Sequence, residues 1–332
     1  MPILAARLLR SFLALLLLAL VALPATAADK LTSLRVDWAY YSPVSLVLRD
    51  KGWMEQEFAK DGIKVEWVLS LGSNKALEFL NGNSIDFGST AGAAALMAKA
   101  NGVPIKAVYV YDKPEWTALV TLKDSPIHKV EDLRGKRIAV TRGTDPHIFL
   151  LRALALHGMK PQDVKMVLLQ HPDGRVALER GDVDAWAGLD PYMAETELEK
   201  GSRLFFRDPD LNTYGFLNTR QDFAAAHPDI VERVLTVYEK ARLWSLAHPA
   251  DLKAIVAKAA RLSDAVAAKD LERNDLSSGL IGQKQRDTIV AAGGVLKESG
   301  IIPADTDIAK TADALIDPQY ILRVEKRLEA AR

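Results

Sequence analysis

The chain has 332 residues, equal numbers of basic and acidic side chains (43 of each) and no cysteine. The charge balance excludes a basic protein that binds nucleic acid through its phosphates. The lack of cysteine excludes structural disulfides, a cysteine nucleophile and a lipid anchor on cysteine. A length near 300 residues predicts two domains or lobes.

The N-terminal segment has the pattern of a secretory signal. Arg7 and Arg10 precede an unbroken apolar run at residues 12–23, and small residues follow at 24–27 (PATA). The run is shorter than the roughly 20 residues that span a bilayer. We therefore predict a cleaved signal peptide at residues 1–27 and a periplasmic mature chain. The alternative, an uncleaved anchor, is less consistent with the A-x-A pattern at the end of the run.

Short apolar segments alternate with amphipathic segments along the rest of the chain, which predicts an α/β fold. The predicted strands are residues 34–38, 65–69, 85–87, 106–111, 117–121, 137–141, 164–169, 184–187 and 215–218. Helices are predicted between them. After about residue 220 the chain is predicted to be helical, beginning with residues 228–248, whose apolar side chains recur at helical spacing.

Six predicted turns lead from a strand into a helix, and most of them place Ser, Thr, Asn, Asp or Gly ahead of the helix. They are residues 40–45 (YYSPVS), 71–74 (LGSN), 88–92 (GSTAG), 141–147 (TRGTDPH), 171–174 (HPDG) and 188–192 (GLDPY). In open α/β sheets such turns lie at the carboxyl ends of the strands, where ligands bind. Each turn also offers free N–H groups and the positive end of a helix dipole. The alternative for every one of them is plain helix N-capping.

The turn at residues 88–92 has two interpretations. One is the nucleophile elbow of hydrolases, Gly-x-Ser-x-Gly, with Thr90 in place of the serine. The other is a binding site, because small residues let a ligand approach the backbone N–H groups at a helix start. We favour the second, because a threonine elbow is rare and none of the six histidines has the spacing of a metal-binding motif.

The candidate ligand contacts are polar and aromatic residues of these turns. Arg142 stands in a glycine-containing turn, where a guanidinium can bind an oxyanion through two hydrogen bonds, although a surface ion pair is the alternative. His147 is the one histidine that we expect near a ligand. Asp190 fits two roles equally well, that of a helix N-cap and that of a ligand contact. The predicted contacts are Tyr41, Ser42, Ser73, Thr90, Ala91, Trp116, Arg142, Gly143, Thr144, His147, Asp190 and Tyr192. We predict no catalytic residue, metal or cofactor.

The order of several short motifs resembles a known family, the periplasmic substrate-binding proteins of ABC importers, in the branch for aliphatic sulfonates, taurine and nitrate. The matching segments are residues 65–68 (VEWV), 82–88 (GNSIDFG), 123–127 (KDSPI), 132–140 (DLRGKRIAV), 150–154 (LLRAL), 179–186 (ERGDVDAW) and 190–192 (DPY). Each segment alone is a weak signal. In this order, behind a signal peptide, they cover most of the mature chain.

This resemblance implies a type II periplasmic binding protein, with two α/β lobes joined by a hinge of two crossings and a ligand cleft between the lobes. Lobe I would comprise residues 28–114 and 217–332, and lobe II residues 115–216. Residues 88–92 would form a cleft turn in which Thr90 gives its hydroxyl to the ligand. The chain would be a monomeric solute-binding component, not an enzyme. It would capture a small organic anion, bind no nucleic acid, and deliver its ligand to an ABC permease in the inner membrane.

Departures from the family pattern narrow the range of expected ligands. Residues 40–42 (YYS) replace a glutamine and a basic residue of the first turn, and residues 90–95 (TAGAAA) lack an acid that sulfonate binders often have. The missing acid weakens the case for taurine, whereas Arg142 still favours an anion. We expect an aliphatic or aromatic sulfonate, with a carboxylate- or nitrate-type anion as the alternative. An enzyme on this fold, of the desulfinase or thiamin-precursor synthase type, and a soluble sensor subunit are further alternatives.

Overall fold

The structure is a computed structural model, and it describes residues 31–330. The predicted signal peptide, residues 1–27, lies outside this range. Two five-stranded sheets form the framework, and helices cover both of them. Across the described range, none of the helices has both the length and the hydropathy needed to span a bilayer.

The first sheet has the strand order β2-β1-β3-β10-β4. Its strands are β1 (Ser33–Trp38), β2 (Lys64–Leu69), β3 (Phe87–Ala91), β4 (Ile105–Asp112) and β10 (Gly215–Arg220). Strands β1, β2 and β3 are parallel, whereas β10 runs antiparallel to both β3 and β4. Strands β3, β10 and β4 are almost completely buried, and their runs of apolar and small residues are typical of a sheet covered by helices on each side.

The second sheet has the order β7-β6-β8-β5-β9 and repeats this plan, with one antiparallel strand in the fourth position. Its strands are β5 (Leu119–Thr121), β6 (Arg137–Val140), β7 (Lys165–Leu168), β8 (Ala185–Ala187) and β9 (Arg203–Phe206). Apolar side chains pack on both faces. One cluster includes Phe149 and Leu150, and the other is built around the fully buried Trp186.

Fourteen α-helices and three short 3₁₀-helices are present among the described residues. Those before β10 are α1 (Pro43–Lys51), α2 (Trp53–Ala59), α3 (Ser73–Asn81), α4 (Gly92–Ala100), α5 (Asp145–Leu156), α6 (His171–Arg180) and α7 (Tyr192–Lys200). Those after it are α8 (Gln221–Ala226), α9 (Pro228–Ala247), α10 (Pro249–Ala260), α11 (Asp264–Leu271), α12 (Gln283–Glu298), α13 (Ile308–Leu315) and α14 (Gln319–Ala330). Proline stands in the first turn of α1, α5, α6, α9 and α10, where its missing N–H costs no helical hydrogen bond.

The chain crosses from the first sheet to the second between β4 and β5, and returns between β9 and β10. Helices α8 to α14 follow β10. Within this C-terminal part, α9 packs on α1, α2 and α14, whereas α11 contacts α7 and α12 contacts α5. The predicted boundary at residues 114 and 115 falls in the first crossing, and that at 216 and 217 falls inside β10. Both lobe boundaries stay predictions.

One strand in each sheet differs from the strands predicted from the sequence. The predicted strand at residues 85–87 and turn at 88–92 are in fact one strand, β3 (Phe87–Ala91), and α4 begins directly at Gly92. Strand β9 (Arg203–Phe206), at the edge of the second sheet, was not predicted. The remaining predicted strands form at their expected places with ends shifted by one or two residues.

Candidate functional site

The starts of six helices follow the carboxyl ends of the parallel strands in both sheets. Helices α1, α3 and α4 follow β1, β2 and β3, and helices α5, α6 and α7 follow β6, β7 and β8. We call these two groups the first-sheet side and the second-sheet side of the cleft. A small cavity lies where they meet, and it is lined by Tyr41, Ser73, Trp116, Thr144, Asp145, Pro146, His171 and Leu189.

The two sides of the cleft are in close contact. An added Cβ on Gly72 would lie 3.0 Å from His171 Nε2, and one on Gly143 would lie 3.4 Å from Met97 Cε. Aromatic rings also meet edge to face, with Tyr41 at 5.8 Å from Trp116 between ring centres. The cavity is small, with a volume of about 10 Å³ open to the centre of a water molecule. This is room for about one water.

Asp145, the first residue of α5, holds together the wall of the cavity. Its Oδ2 accepts hydrogen bonds from Trp116 Nε1 (2.9 Å) and Thr213 N (3.0 Å), and its Oδ1 accepts from Thr213 Oγ1 (2.8 Å). Thr213 Oγ1 in turn accepts from Ala93 N at 3.1 Å. Burial raises the pKa of Asp145, and the hydrogen bonds oppose that rise. The predicted contact Trp116 is therefore fixed in place by Asp145.

His171 is fully buried and begins α6. Its Nδ1 lies 3.1 Å from Thr141 Oγ1, and that hydroxyl also donates to the Leu169 carbonyl at 2.8 Å. Its Nε2 has no hydrogen-bond partner among residues 31–330. Burial lowers the pKa of His171 to about 3, so the ring is neutral at physiological pH. The sequence analysis had assigned this His-Pro pair only to a turn.

His147 and Arg142 lie outside the set of residues that line the cavity. His147 is buried, and its pKa is lowered to about 4, first by burial and then by the nearby charge of Arg142. Arg142 itself is exposed. Gly143, between Arg142 and α5, has a positive φ of 80° that favours glycine, and its Cα faces Met97 and Asn74 across the cleft. Roles for Arg142, Gly143 and His147 in ligand binding stay predictions.

The stretch at residues 88–92 does not form the open turn that the sequence analysis predicted. Ala91 N donates to Ser73 Oγ (2.9 Å), and Gly92 N donates to the Tyr214 carbonyl (2.9 Å). Thr90 Oγ1 accepts a hydrogen bond from Asn218 Nδ2 at 2.8 Å, within the sheet. The prediction of a cleft turn with free N–H groups was wrong, because pairing with β10 satisfies this backbone.

The small residues at 88–92 allow neighbouring elements to pack closely. A Cβ on Gly92 would lie 2.6 Å from the Phe216 ring and 3.0 Å from Ile289 Cγ1, and one on Gly88 would lie 3.0 Å from Leu80 and Ile85. Gly92 therefore lets α4 approach β10 and α12 closely. The glycines of this stretch are explained by packing, without reference to a ligand.

Asp190 is engaged in an ion pair that joins the segment before α7 to the C-terminal helical part. Its carboxylate accepts from Arg273 Nη1 at 3.0 and 3.1 Å and from Ala194 N at 2.8 Å. Arg273, two residues beyond α11, also pairs with Glu197 of α7. Burial raises the pKa of Asp190, and the charge of Arg273 opposes that rise. Asp190 is thus both a helix cap and a partner of Arg273, which the sequence analysis did not identify.

The remaining predicted contacts lie at or near the cavity. Tyr41 donates through its hydroxyl to the Ser89 carbonyl (3.1 Å), and Thr144 donates to the Thr141 carbonyl (2.7 Å). Tyr192 meets Tyr40 across the cleft, with ring centres 6.5 Å apart. Ser42 is buried, and its Oγ finds no partner in the described part of the chain. In residues 31–330 no group of three or more His, Asp or Glu side chains is arranged to hold a metal ion.

Comparisons with known proteins match this chain to one family. The family described as "NMT1/THI5 like" matches residues 44–252, more than half of the chain. A "Putative aliphatic sulfonates-binding protein" of Bacillus subtilis (strain 168) is 30% identical over 206 residues, and one of Escherichia coli (strain K12) is 33% identical over 211 residues. These alignments cover 61% and 63% of this chain. They span 62% and 66% of the two relatives, slightly less than two thirds of their lengths.

A solved structure extends the similarity to nearly the whole chain. The alkanesulfonate-binding protein SsuA from Xanthomonas axonopodis pv. citri, bound to MOPS, is 25% identical with a TM-score of 0.79. The match covers 87% of this chain and 99% of that protein. The predicted resemblance to sulfonate-binding proteins and the predicted α/β fold class of periplasmic binding proteins are confirmed.

Proposed function

The chain belongs to the NMT1/THI5-like family, and we propose that it is the solute-binding component of an ABC importer. In this proposal it captures a small organic anion, an aliphatic or aromatic sulfonate, in the periplasm and delivers it to a permease in the inner membrane. The names of the two curated relatives and of the SsuA structure support this substrate class. The predicted signal peptide at residues 1–27 supports the location.

The observation that carries the proposal is the convergence of three helix starts on one cavity. Ser73, Asp145 and His171 are the first residues of α3, α5 and α6, and all three line the cavity. Each helix start presents N–H groups and the positive end of a dipole, which favours an anion by about 0.3–1 kcal/mol. Three such ends from both sides of the cleft therefore act together on one bound anion.

The cavity size implies that ligand entry requires movement. Room for about one water is too small for an organic sulfonate, so the two sides must separate to admit one and then settle around it. Tyr41 and Trp116 supply an apolar wall for the tail of the ligand. Arg142, exposed beside Gly143, adds a positive charge near the opening and contacts the sulfonate in this proposal.

A thermal-shift screen on refolded, ligand-stripped mature protein tests the proposal. The panel contains alkane and aromatic sulfonates, taurine, nitrate, sulfate and aromatic carboxylates. A ligand at 100 times its Kd stabilises by about 2.7 kcal/mol, which in a chain of this size raises the melting temperature by several degrees. We expect a shift with sulfonates that Arg142→Ala reduces. The matched control is Arg180→Ala, an exposed arginine in the last turn of α6.

Two outcomes of the screen would contradict the proposal. Shifts with carboxylates alone would keep the binding function and exclude a sulfonate as the substrate. The absence of any shift would exclude the anion site. Chemical conversion of a bound sulfonate during incubation, followed by chromatography, would identify the chain as an enzyme on this fold instead of a binding protein.

A further inference from the structure

One buried polar atom of the cavity wall has no hydrogen-bond partner within the described chain. His171 Nε2 is buried, faces the point where Gly72 approaches from the first-sheet side, and has no partner anywhere in the described chain. Asn74 Oδ1, in the first turn of α3, is also buried and without a partner there. Both atoms lie within 3.0 Å of the position that a Cβ on Gly72 would take. The start of α6 therefore places a polar atom directly at the meeting point of the two sides.

The hydrogen bonds around the ring fix its protons in this structure. The single hydroxyl proton of Thr141 is donated to the Leu169 carbonyl at 2.8 Å. The contact of 3.1 Å between Thr141 Oγ1 and His171 Nδ1 then needs the proton of Nδ1. A neutral ring with its proton on Nδ1 presents a lone pair at Nε2. Such a ring accepts a hydrogen bond from a ligand and repels an anionic oxygen.

We propose that His171 contacts the headgroup of the ligand and that Thr141 sets the direction of this hydrogen bond. When a sulfonate oxygen approaches Nε2, the Thr141 hydroxyl turns from the Leu169 carbonyl to His171 Nδ1. The ring proton is then carried on Nε2, where it is donated to the sulfonate, and the ring stays neutral. This inference rests on the proposed function, because it assigns a residue and a proton position to the same anion site.

The exchange of protons is chemically balanced. The Thr141 hydroxyl exchanges its acceptor, the Leu169 carbonyl, for Nδ1 and no longer accepts from Nδ1, so the Leu169 carbonyl loses one hydrogen bond while Nε2 gains one to the sulfonate. Water that enters when the two sides separate carries the protons: one water molecule gives a proton to Nε2, and the Nδ1 proton leaves to another, so that the ring stays neutral and no net proton is taken up. Charging the ring instead is opposed by its complete burial, which lowers its pKa to about 3. The Asn74 amide, next to Nε2, can turn its NH₂ group toward the same oxygen.

The experiment measures the Kd for ethanesulfonate by titration calorimetry in four proteins and one control variant. The four proteins are the wild type, His171→Leu, His171→Gln and Thr141→Val. We expect His171→Leu to weaken binding roughly 10- to 100-fold, because a hydrogen bond to a charged group is lost. His171→Gln, whose amide can donate at the same place, restores part of the affinity. Thr141→Val weakens binding by about tenfold, because Nδ1 loses its donor. His157→Leu, at a partly exposed histidine bonded to Glu131, is the control.

Nitrogen NMR of ¹⁵N-histidine protein provides a readout that a merely structural role would not change. We expect the protonated nitrogen of His171 to be Nδ1 without ligand and Nε2 with saturating ethanesulfonate. Wild-type affinity in a folded His171→Leu protein would overturn the contact. An unchanged tautomer, or a doubly protonated ring, would overturn the role of Thr141. If the wild type binds ethanesulfonate but the variants match it, the proposed function survives and this inference fails. If the wild type binds no sulfonate, both fail.

Discussion

At the scale of single residues, the cavity wall is made of polar groups that are mostly committed to each other. Asp145 accepts from Trp116 and twice from Thr213, and it is almost completely buried. A buried donor that loses its acceptor has neither a protein partner nor water, so the free energy of its desolvation is no longer offset. This carboxylate therefore organises the second-sheet side of the cleft, and its removal affects folding as well as binding.

We predict that Asp145→Ala lowers the free energy of unfolding by on the order of 3 kcal/mol, because three donors lose their acceptor in a buried site. Urea unfolding of the mature protein measures this loss. Asp173→Ala, at an exposed acid in the first turn of α6, serves as the control and is expected to change stability by about 0.5 kcal/mol or less. A loss below about 1 kcal/mol for Asp145→Ala would show that the network does not stabilise the fold.

Several residues that line the cavity were predicted from the sequence, whereas their hydrogen-bond partners were not. Ser73, Trp116, Thr144 and Tyr41 were predicted because they lie at strand ends, and the carboxyl ends of parallel strands share one edge of a sheet. The pairing of Asp190 with Arg273 spans 83 residues along the chain, so no local pattern indicates it. His171, which lines the cavity, was not among the predicted contacts, because a histidine before proline suggests only a helix boundary.

At the scale of elements, the close approach of α4 to the sheet depends on one glycine. We predict that Gly92→Ala destabilises the protein by about 1–3 kcal/mol, because the new methyl group would lie 2.6 Å from the Phe216 ring. Gly294→Ala is the matched control within α12, since no atom lies within 4 Å of its Cβ position. That control should gain about 0.5–1 kcal/mol from helix propensity. Equal effects of the two changes in thermal unfolding would contradict the packing account.

Strand β3 shows why local sequence misplaces an element. Its residues FGSTA have little strand propensity, and glycine with serine favours a turn. Pairing with β10 along five residues overrides this local preference. Strand β9 was missed for another reason. It has four half-buried residues at the edge of a sheet, and so short a segment has no clear periodicity.

At the scale of the whole molecule, Arg273 links the second-sheet side of the cleft to the C-terminal helical part, which packs on α1. It is buried and bonded to Asp190 and Glu197, both on the second-sheet side, while it follows α11 in the C-terminal helical part. Removal of one partner from a buried ion pair leaves an uncompensated charge, which typically costs about 3–5 kcal/mol. The pair holds α7 to the segment after α11, and we propose that it favours the arrangement in which the two sides of the cleft meet.

We therefore predict that Arg273→Ala weakens ethanesulfonate binding by more than about tenfold without contact to the ligand, because closure loses its ion pair. Titration calorimetry measures the change. Arg286→Ala is the control, because Arg286 pairs with Asp313 between α12 and α13 on the outer surface. That variant should keep the wild-type affinity. An unchanged Kd in Arg273→Ala would show that the ion pair does not contribute to closure around the ligand.

In the proposed function, this chain captures an organic sulfonate between its two sides. The most direct test is titration calorimetry of ligand-stripped protein with ethanesulfonate and, separately, with propionate, which has the same ethyl tail and a carboxylate headgroup. We predict one site per chain and a Kd for ethanesulfonate at least about tenfold lower than for propionate, a difference near 1.4 kcal/mol. Equal affinities, or binding of propionate alone, would contradict the assignment of a sulfonate as the substrate.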